Sequence, residues 1–445
     1  MITVDQRAVQ LWSEGQGTAS IVNTDFSIPL YIEYGTKQPT ASSDQVPPRG
    51  TITVDGTTSI QGAIITGTGI QVQVMPGITQ VTPLIPPPVT LLPSGDQTGT
   101  TDTLLLQSFE VSGFSVRLVS GIYYFNNLVT ITDGTLTGND MATIIQLNTL
   151  GHIYSGPLLA VGSKGVIRNL SVANSGADAI TVAGGVAEWW LMDLFFSGNT
   201  GWCIHHTPTG PSHGRIRGIR GTGGGSPNGG GILIDGGGGA AVTTEVNIYD
   251  IDIQGCTTFS VLECSSVTDV LCSKLNGSLN NVNISPALLV QGPSQTVHML
   301  EVDVGGSTAG PAVLVVQANA GGSPTDCIFT GKVQQGAIGT LVSDASARLS
   351  FTDWYCTRNQ GDGFKSTGNG AFNTLTKYTG NQNNLAAGVA YDVNVTSTAH
   401  WLIDGMRGVS GAVTANRNIM LAGNHVSPVN DPAGTTTAGF APAGW

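Results

Sequence analysis

Two aspartates raise the question of chemistry first. In the run Val246-Asn-Ile-Tyr-Asp-Ile-Asp-Ile253, Asp250 and Asp252 alternate with Ile251 and Ile253, so both carboxylates leave the same side of a strand. Glycoside hydrolysis needs two carboxyl groups roughly 5–9.5 Å apart. This pair would therefore need a partner from an equivalent strand, and Asp193 in Leu191-Met-Asp-Leu-Phe-Phe196 or Glu301 in Val297–Val304 could supply it. The plainer reading is a solvated strand face.

The remaining reactive residue types are sparse. His205 and His206 follow Ile204 on a strand with their side chains in opposite directions, and a metal site would need ligands that the sequence does not place near them. The glycine runs Gly221–Gly225 and Gly229–Gly239 lack the Gly-Lys-Ser/Thr ending of a phosphate loop; they fit a flexible excursion or a close approach between chains. Trp189, Trp190 and Trp202, with Tyr249, could form a platform on which sugars stack, or could fill core and interface positions. Six cysteines, all after residue 202, show no CxxC spacing and read as buried free thiols. No metal or cofactor is expected.

Charge narrows the partners. The net charge is −12 with a pI near 4.8, which argues against nucleic acid, whose phosphates need clustered Lys and Arg. Arg215, Arg217 and Arg220 are the densest basic stretch and read as a solvated strand face. No apolar run is long enough to span a membrane, and the first residues lack a signal-peptide layout, so synthesis in a host cytoplasm is expected. Charged residues are only 10% of the chain, against roughly a quarter in typical domains, while 62 glycines and a mean hydropathy of +0.13 point to turn-rich β-structure. So few charges suggest that sister chains cover part of the surface, and a homotrimer is expected.

The elements that must carry these residues follow from the spacing. Residues 1–82 contain short alternating runs, Ala19–Val22, Ile28–Tyr34, Gly50–Val54 and Gly69–Val74, broken by Pro47-Pro48, Asp55-Gly56 and Pro76-Gly77. Such alternation predicts a small antiparallel sandwich-like module. Prolines 83, 86, 87, 88 and 93 make residues 83–95 a stiff linker. Beyond residue 150 a glycine-bearing turn followed by an apolar strand recurs. Its equivalent positions are Ile180, Ile204, Ile232, Val261, Leu288, Val313, Leu341 and Phe364, at steps of 24, 28, 29, 27, 25, 28 and 23 residues. A second alternating strand lies between successive turns. A period in the twenties with two or three strands predicts a β-solenoid, in which no rung buries its inner residues without its neighbours. Polar turn residues can then stack into Asn-type ladders. A propeller would need a period near 40–45 and a blade motif, and helix is nearly missing apart from Asp102–Glu110.

The segment Leu92-Pro-Ser-Gly-Asp-Gln-Thr-Gly-Thr-Thr-Asp-Thr-Leu-Leu-Leu-Gln107, followed by Val116-Arg-Leu-Val-Ser-Gly-Ile-Tyr-Tyr124, resembles the opening motif of the pectate-lyase-like, polygalacturonase-related β-helix superfamily, as found in bacteriophage tail spike and minor tail proteins. The resemblance implies a helix capping the first rung, Asp102 bonding the free helix amides, Leu105 and Leu106 facing the first coil, and Gly121 and Tyr123 at the first sheet. Its polygalacturonase branch carries Asn-Thr-Asp, Asp-Asp, Gly-His-Gly and Arg-x-Lys motifs. This chain has no Asp-Asp and no Arg-x-Lys. Its Asn-Thr-Asp is Asn23–Asp25, outside the repeat, and Ser212-His-Gly214 is its nearest approach to Gly-His-Gly.

The expectation is an all-β chain: a right-handed single-stranded parallel β-helix over 96–425 behind the N-terminal module, with a C-terminal extension over 426–445 that contacts another chain. The resemblance implies a trimeric, non-catalytic phage tail component of the virion, attached to other tail proteins through the N-terminal module and facing a host-surface glycan. A tail-spike depolymerase, hydrolase or lyase, is the alternative. A secreted pectinase-like enzyme fits less well.

Overall fold

The computed structural model describes residues 89–367 apart from 111–114, 152–153, 183–187, 222–226, 238–241, 318–321 and 344; on either side it describes the strands and a few neighbouring residues. Most of the proline cluster, the glycines at 223–225, and Phe440 and Trp445 lie outside the described residues. Two compact units divide at residue 87.

The first unit holds two four-stranded antiparallel sheets. In one, Ala19–Asn23 is flanked by Thr51–Val54 and Ile70–Pro76, with Ile2–Val4 beyond. In the other, Leu30–Tyr34 is flanked by Asp44–Val46 and Ile60–Ala63. Ile21, Leu30 and Ile32 are buried, as period-two alternation demands.

The second unit is the parallel β-helix, right-handed and of about 11 turns. Each turn gives one strand to a long sheet and one to a short sheet, and every strand bonds its equivalents in the turns before and after. On the short sheet the inward column runs Ile180, Ile204, Ile232, Leu262, Leu288, Val313, Thr340, Phe364 and Val393. The repeat read from sequence is therefore one residue out at two rungs. Leu262 rather than Val261 and Thr340 rather than Leu341 hold the column. Leu341 instead continues an outer row with Leu289 and Leu314, while the inward Thr340 hydroxyl accepts 2.9 Å from the buried Trp354 indole N–H. On the long sheet Ile167, Leu191, Ile216, Ile248, Cys272, Met299, Phe329 and Phe351 stack as one inner column. Burying these columns is the main stabilising term, because a lone rung would leave each of them wet on two sides.

Turn residues form the expected ladder. The Asn199 side-chain amide donates to Asn228 Oδ1 at 2.9 Å and to the Val172 carbonyl, and Asn228 donates to the Phe196 carbonyl. Asn359 donates to Asn383 Oδ1 at 2.8 Å further along.

A feature with no counterpart in the sequence expectation is a left-handed corner within the long-sheet strands. Asn169, Asp193, Gly218, Asp250, Lys274 and Glu301 occupy it in successive rungs, with φ between 51° and 65°. Asn, Asp and Gly tolerate that conformation best, which accounts for four of the six. The corner lets both halves of a long strand aim apolar residues inward although it breaks strict alternation.

The opening motif behaves as the resemblance implies in outline and differs in detail. The helix spans Thr100–Glu110 and packs on the first rung. Asp102 does not cap it: its carboxylate accepts from the Ser94 and Tyr124 amides, both at 3.0 Å, tying the helix to the chain on either side. The capping acceptor is Asp96, bonded to the Thr101 amide at 3.0 Å. Hydrogen bonds from the Thr98 hydroxyl, the Thr101 amide and hydroxyl and the Thr98 amide hold the Asp96 carboxyl well below the usual range. Leu106 and Thr103 face the coil, whereas Leu105 is 37% exposed, because residues three apart share a helix face and neighbours do not. Gly121 and Tyr123 do sit at the first sheet, where the Tyr123 hydroxyl donates to the Leu91 carbonyl at 2.8 Å. Val89–Leu91, inside the stretch read as linker, is already a solenoid strand paired with Val116–Leu118. The segment read as a C-terminal extension also adds short strands, Val429–Asn430 and Thr437–Ala438, to the two sheets.

Candidate functional site

The outer face of the long sheet carries the clefts that bear on function. Six successive strands, from Val166–Ala173 to Gln295–Gly305, span about 24 Å at the usual strand spacing. Residues just before the left-handed corner project outward as Trp190 and Met192, then Arg215 and Arg217, then Asn247 and Tyr249, rung above rung. Those beyond it project as Arg220, Asp252, Asn276 and Asp303. Clefts of about 190, 160 and 410 Å³ run into one another, the first two sharing Glu188 and Trp190, the last two sharing Arg215 and Asn247. A fourth, of about 320 Å³, continues from Lys274 to Arg220, Asp250, Asp252, Glu301 and Asp303.

The two ends of this groove differ in chemistry. At the first end cations lie on aromatic rings: Arg215 is 5.3 Å from the centre of Trp190, Arg217 5.9 Å from Tyr249, and Lys274 5.1 Å from the same Tyr249. A hydrogen bond with the Tyr249 hydroxyl raises the Lys274 pKa, and the Glu301 and Asp250 carboxylates of the acidic cleft that Lys274 also lines add to the rise. Among the described residues neither Arg215 nor Arg217 forms an ion pair. At the edge of this end His213 pairs with Glu245 at 2.5 Å.

The second end is acidic. Asp250 is held by Arg220, which donates to its carboxylate and its carbonyl, both at 2.7 Å. Asp252 accepts from Gln254 at 2.7 Å and Asn276 at 3.1 Å. Asp303 lies in the same column two rungs away, beyond Asn276, with Lys332 at 3.9 Å. Two rungs separate the Asp252 and Asp303 backbones by roughly 9–10 Å.

The structure thus brings Asp250, Asp252, Trp190 and Tyr249 onto one outer face, the aspartates and the rings lining different clefts, and sets three sequence candidates apart. Trp189 is 1% exposed, its indole donating to Ser212 Oγ at 2.9 Å, and Trp202 is 6% exposed and stacked on Phe259. Both are core residues and cannot receive a sugar. Trp189 alternates with outward Trp190, and Trp202 opens the short-sheet strand Trp202–His206, paired with Gly230. Asp193 stands in the corner column two rungs from Asp250 and outside the groove lining. Glu301, by contrast, lines the acidic end. The basic stretch is the solvated strand face that the sequence suggests, with Arg215 and Arg217 exposed, and it also lines a shallow cleft. Lys274, Asn276 and Asp303 were not singled out from sequence: their strands turn the corner at Lys274 and Glu301, residue types that do not announce a left-handed conformation.

Elsewhere the histidines diverge as alternation requires. His205 faces outward and pairs with Asp178 at 2.7 Å. His206 points into the core, edge-on to Trp189, with Nδ1 3.0 Å from the Val182 carbonyl, and burial pushes its pKa down to about 4. Two rungs from His205, burial pushes Glu263 up to about 7, against a 2.8 Å hydrogen bond from Gln291. All six cysteines are buried free thiols. Among the described residues no group of three or more His, Cys, Asp or Glu is placed to hold a metal ion, and no helix is long and apolar enough to cross a membrane.

The sequence matches no family model and no curated protein sequence. In fold it is similar to the A-module of a mannuronan C-5 epimerase from Azotobacter vinelandii, at 11% identity and a TM-score of 0.44 over 76% of this chain and 93% of that one. It is also similar to ORF18 of Geobacillus virus E2, at 11% identity and 0.41 over 72% and 63%. Tailspike protein 3 of bacteriophage CBA120 aligns at 11% identity and 0.40 over 76% and 56%. Identities and scores this low add nothing to what the chain's own strand pairing shows. Stacked parallel sheets, a capping helix and an asparagine ladder make this chain a right-handed parallel β-helix protein, the fold that its opening motif resembles.

Proposed function

We propose that the chain is a structural component of a bacteriophage tail whose solenoid offers the long-sheet groove to a glycan of the host surface. The observation that carries this reading is the row of Trp190, Arg215, Arg217, Tyr249 and Lys274, outward aromatic faces interleaved with cations in a shallow groove along the stacked rungs. Flat rings on a rigid sheet suit the apolar faces of sugars, and a rigid scaffold keeps the entropic cost of binding low. The opening motif supports the viral setting. In this reading the N-terminal module joins the chain to other tail proteins, the virion is its location, and three copies assemble. Purified protein should compete with phage for adsorption to host cells, and the double variant Trp190→Ala with Tyr249→Ala should lose that competition. Retained competition by this variant would sink the proposal. Light scattering tests the assembly: a trimer has three times the mass of the 45.8 kDa chain.

A second reading, glycan cleavage, rests on Asp252 and Asp303, whose backbone separation of roughly 9–10 Å is near the wide spacing of inverting hydrolases. Reducing ends released from host glycan by the intact chain, and not by Asp252→Asn or Asp303→Asn, would replace the first reading with this one.

A further inference from the structure

We propose that Lys365 and Asn394 join spontaneously in an amide cross-link, with Asp362 carrying the proton, so that two successive rungs are covalently stapled. The proposal is independent of the long-sheet groove and of any ligand there.

The three residues meet on the outer face of the short sheet. Lys365 and Asn394 are direct partners where Phe364–Ser366 pairs with Tyr391–Val395, so their side chains leave adjacent rungs on the same side. Asp362 stands two residues before the first of these strands, and its Oδ2 faces both partners. The Asn394 side-chain amide donates to that oxygen at 2.8 Å, and the Lys365 ammonium lies 3.8 Å from it.

Burial sets this carboxylate apart. Asp250, Asp303, Asp326 and Asp353, which pair with arginine or lysine elsewhere, have side chains between 43% and 62% exposed. The Asp362 side chain is 8% exposed and that of Lys365 31%. Asn394 is buried, and its Oδ1 accepts no hydrogen bond from the described residues. An amine, a carboxyl group and a carboxamide thus converge on one oxygen with little water between them. Strand pairing holds the reactants at an effective concentration that free solution does not reach. Away from water a neutral amine beside a neutral carboxyl costs less than it does in solvent, which brings the nucleophilic form of lysine within reach.

Lys365 gives one proton to Asp362, and the lone pair so freed forms a bond to Asn394 Cγ as the carbonyl pair moves onto Oδ1. The carbonyl then re-forms and the Cγ–Nδ2 bond breaks. Its electron pair stays with Nδ2, and the Asp362 proton completes ammonia. The surplus proton on the new amide nitrogen leaves with the ammonia as ammonium. Asp362 ends as the carboxylate it was, nothing is oxidised or reduced, and no co-reactant is needed.

Such a bond forms without an oxidising compartment, which suits a chain whose six cysteines are all buried free thiols. It closes a loop that the unfolded chain would leave open, in the part of the solenoid where long-sheet strands have shrunk from 15 residues at Val242–Cys256 to 4 at Asn373–Thr376.

The test is the intact mass of the full chain, followed by tryptic mapping after denaturation. The chain should weigh less than its sequence by one ammonia. One branched peptide should contain both Lys365 and Asn394, uncut after Lys365. Lys365→Arg and Asp362→Asn should each restore the full mass and release two separate peptides. Lys377→Arg, which alters the pair with the exposed Asp353, should leave the bond intact. A chain of full mass without the branched peptide overturns the proposal, and that readout needs no variant to fold. A loss of ammonia that persists in Lys365→Arg with no peptides joined overturns it too, because an Asn-Gly succinimide such as one at Asn276-Gly277 also releases ammonia. A branched peptide that survives Asp362→Asn overturns the proton-carrying role alone.

Discussion

A buried histidine and a half-buried glutamate set opposite demands on this solenoid in acid, and their opposition can be measured. His206 has no solvent exposure and a pKa near 4 against the ordinary 6.5. The unfolded chain therefore takes up a proton between those values and the folded chain does not, so stability present above pH 6.5 is lost as pH falls towards 4. A gap of 2.5 units corresponds to about 3 kcal/mol. Glu263 works the other way. Its pKa near 7 lies above the ordinary 4.5, so the folded chain holds the extra proton between the two values, and stability grows on acidification by at most a similar amount, reduced by partial solvent contact. Between about pH 4.5 and 6.5 the two terms largely offset each other, and the intact chain should show a shallow profile. Glu263→Gln removes one of them. Guanidinium unfolding of that variant, followed by far-ultraviolet circular dichroism from pH 8 to pH 4, should then lose about 3 kcal/mol on acidification. His206→Leu should show the reverse trend, becoming more stable from pH 7 to about 4.5, on top of a pH-independent loss of its contacts with Trp189 and Val182. If unfolding proves irreversible, unfolding rates at fixed denaturant carry the same signs. A Glu263→Gln profile that stays flat down to pH 4 would mean that His206 is not held neutral in the core, because a sealed neutral imidazole cannot avoid that slope.

Other expectations follow from single contacts. Asp102→Ala removes the acceptor for two backbone amides, at Ser94 and Tyr124, and should lower stability by about 2–4 kcal/mol in denaturant melts, with no rescue by strengthening the helix cap at Asp96. Asn228→Ala breaks the ladder with Asn199 and strips a bond from the Phe196 carbonyl; a loss of about 2 kcal/mol is expected, and Asn228→Asp should not restore it, since a carboxylate cannot donate to that carbonyl. The six thiols should ignore a water-soluble disulfide reagent in the native protein and all react after denaturation, because burial pushes Cys256, Cys272 and Cys327 up to about 12 and raises Cys203 and Cys264 as well.

Much of the architecture was legible in the amino-acid order because period and alternation are local properties. A repeat in the twenties, apolar residues every second position, and asparagine or serine at the turns leave few ways to bury the chain other than by stacking rungs. The opening motif was legible for the same reason, down to the helix and to Tyr123. Register was less so: Val261 and Leu341 look like column residues because Leu262 and Thr340 are adjacent to them, and one position decides inside from outside. The left-handed corner at Asp250 and its equivalents hid the outer columns, since strict alternation fails wherever one residue leaves the β region.

Amino-acid order alone dictates the solenoid: composition, spacing and turn chemistry fit no rival fold as well. Which residues of different turns become neighbours depends on the pairing of the strands in three dimensions. Trp190 meets Arg215 across 25 positions of chain, and Arg217 and Lys274 meet on Tyr249. Trp189 and Trp202 sink into the core while Trp190 does not. The reason is geometric: strand pairing at about 4.8 Å converts loop lengths into contacts, and a single inserted residue moves a side chain from the groove to the core.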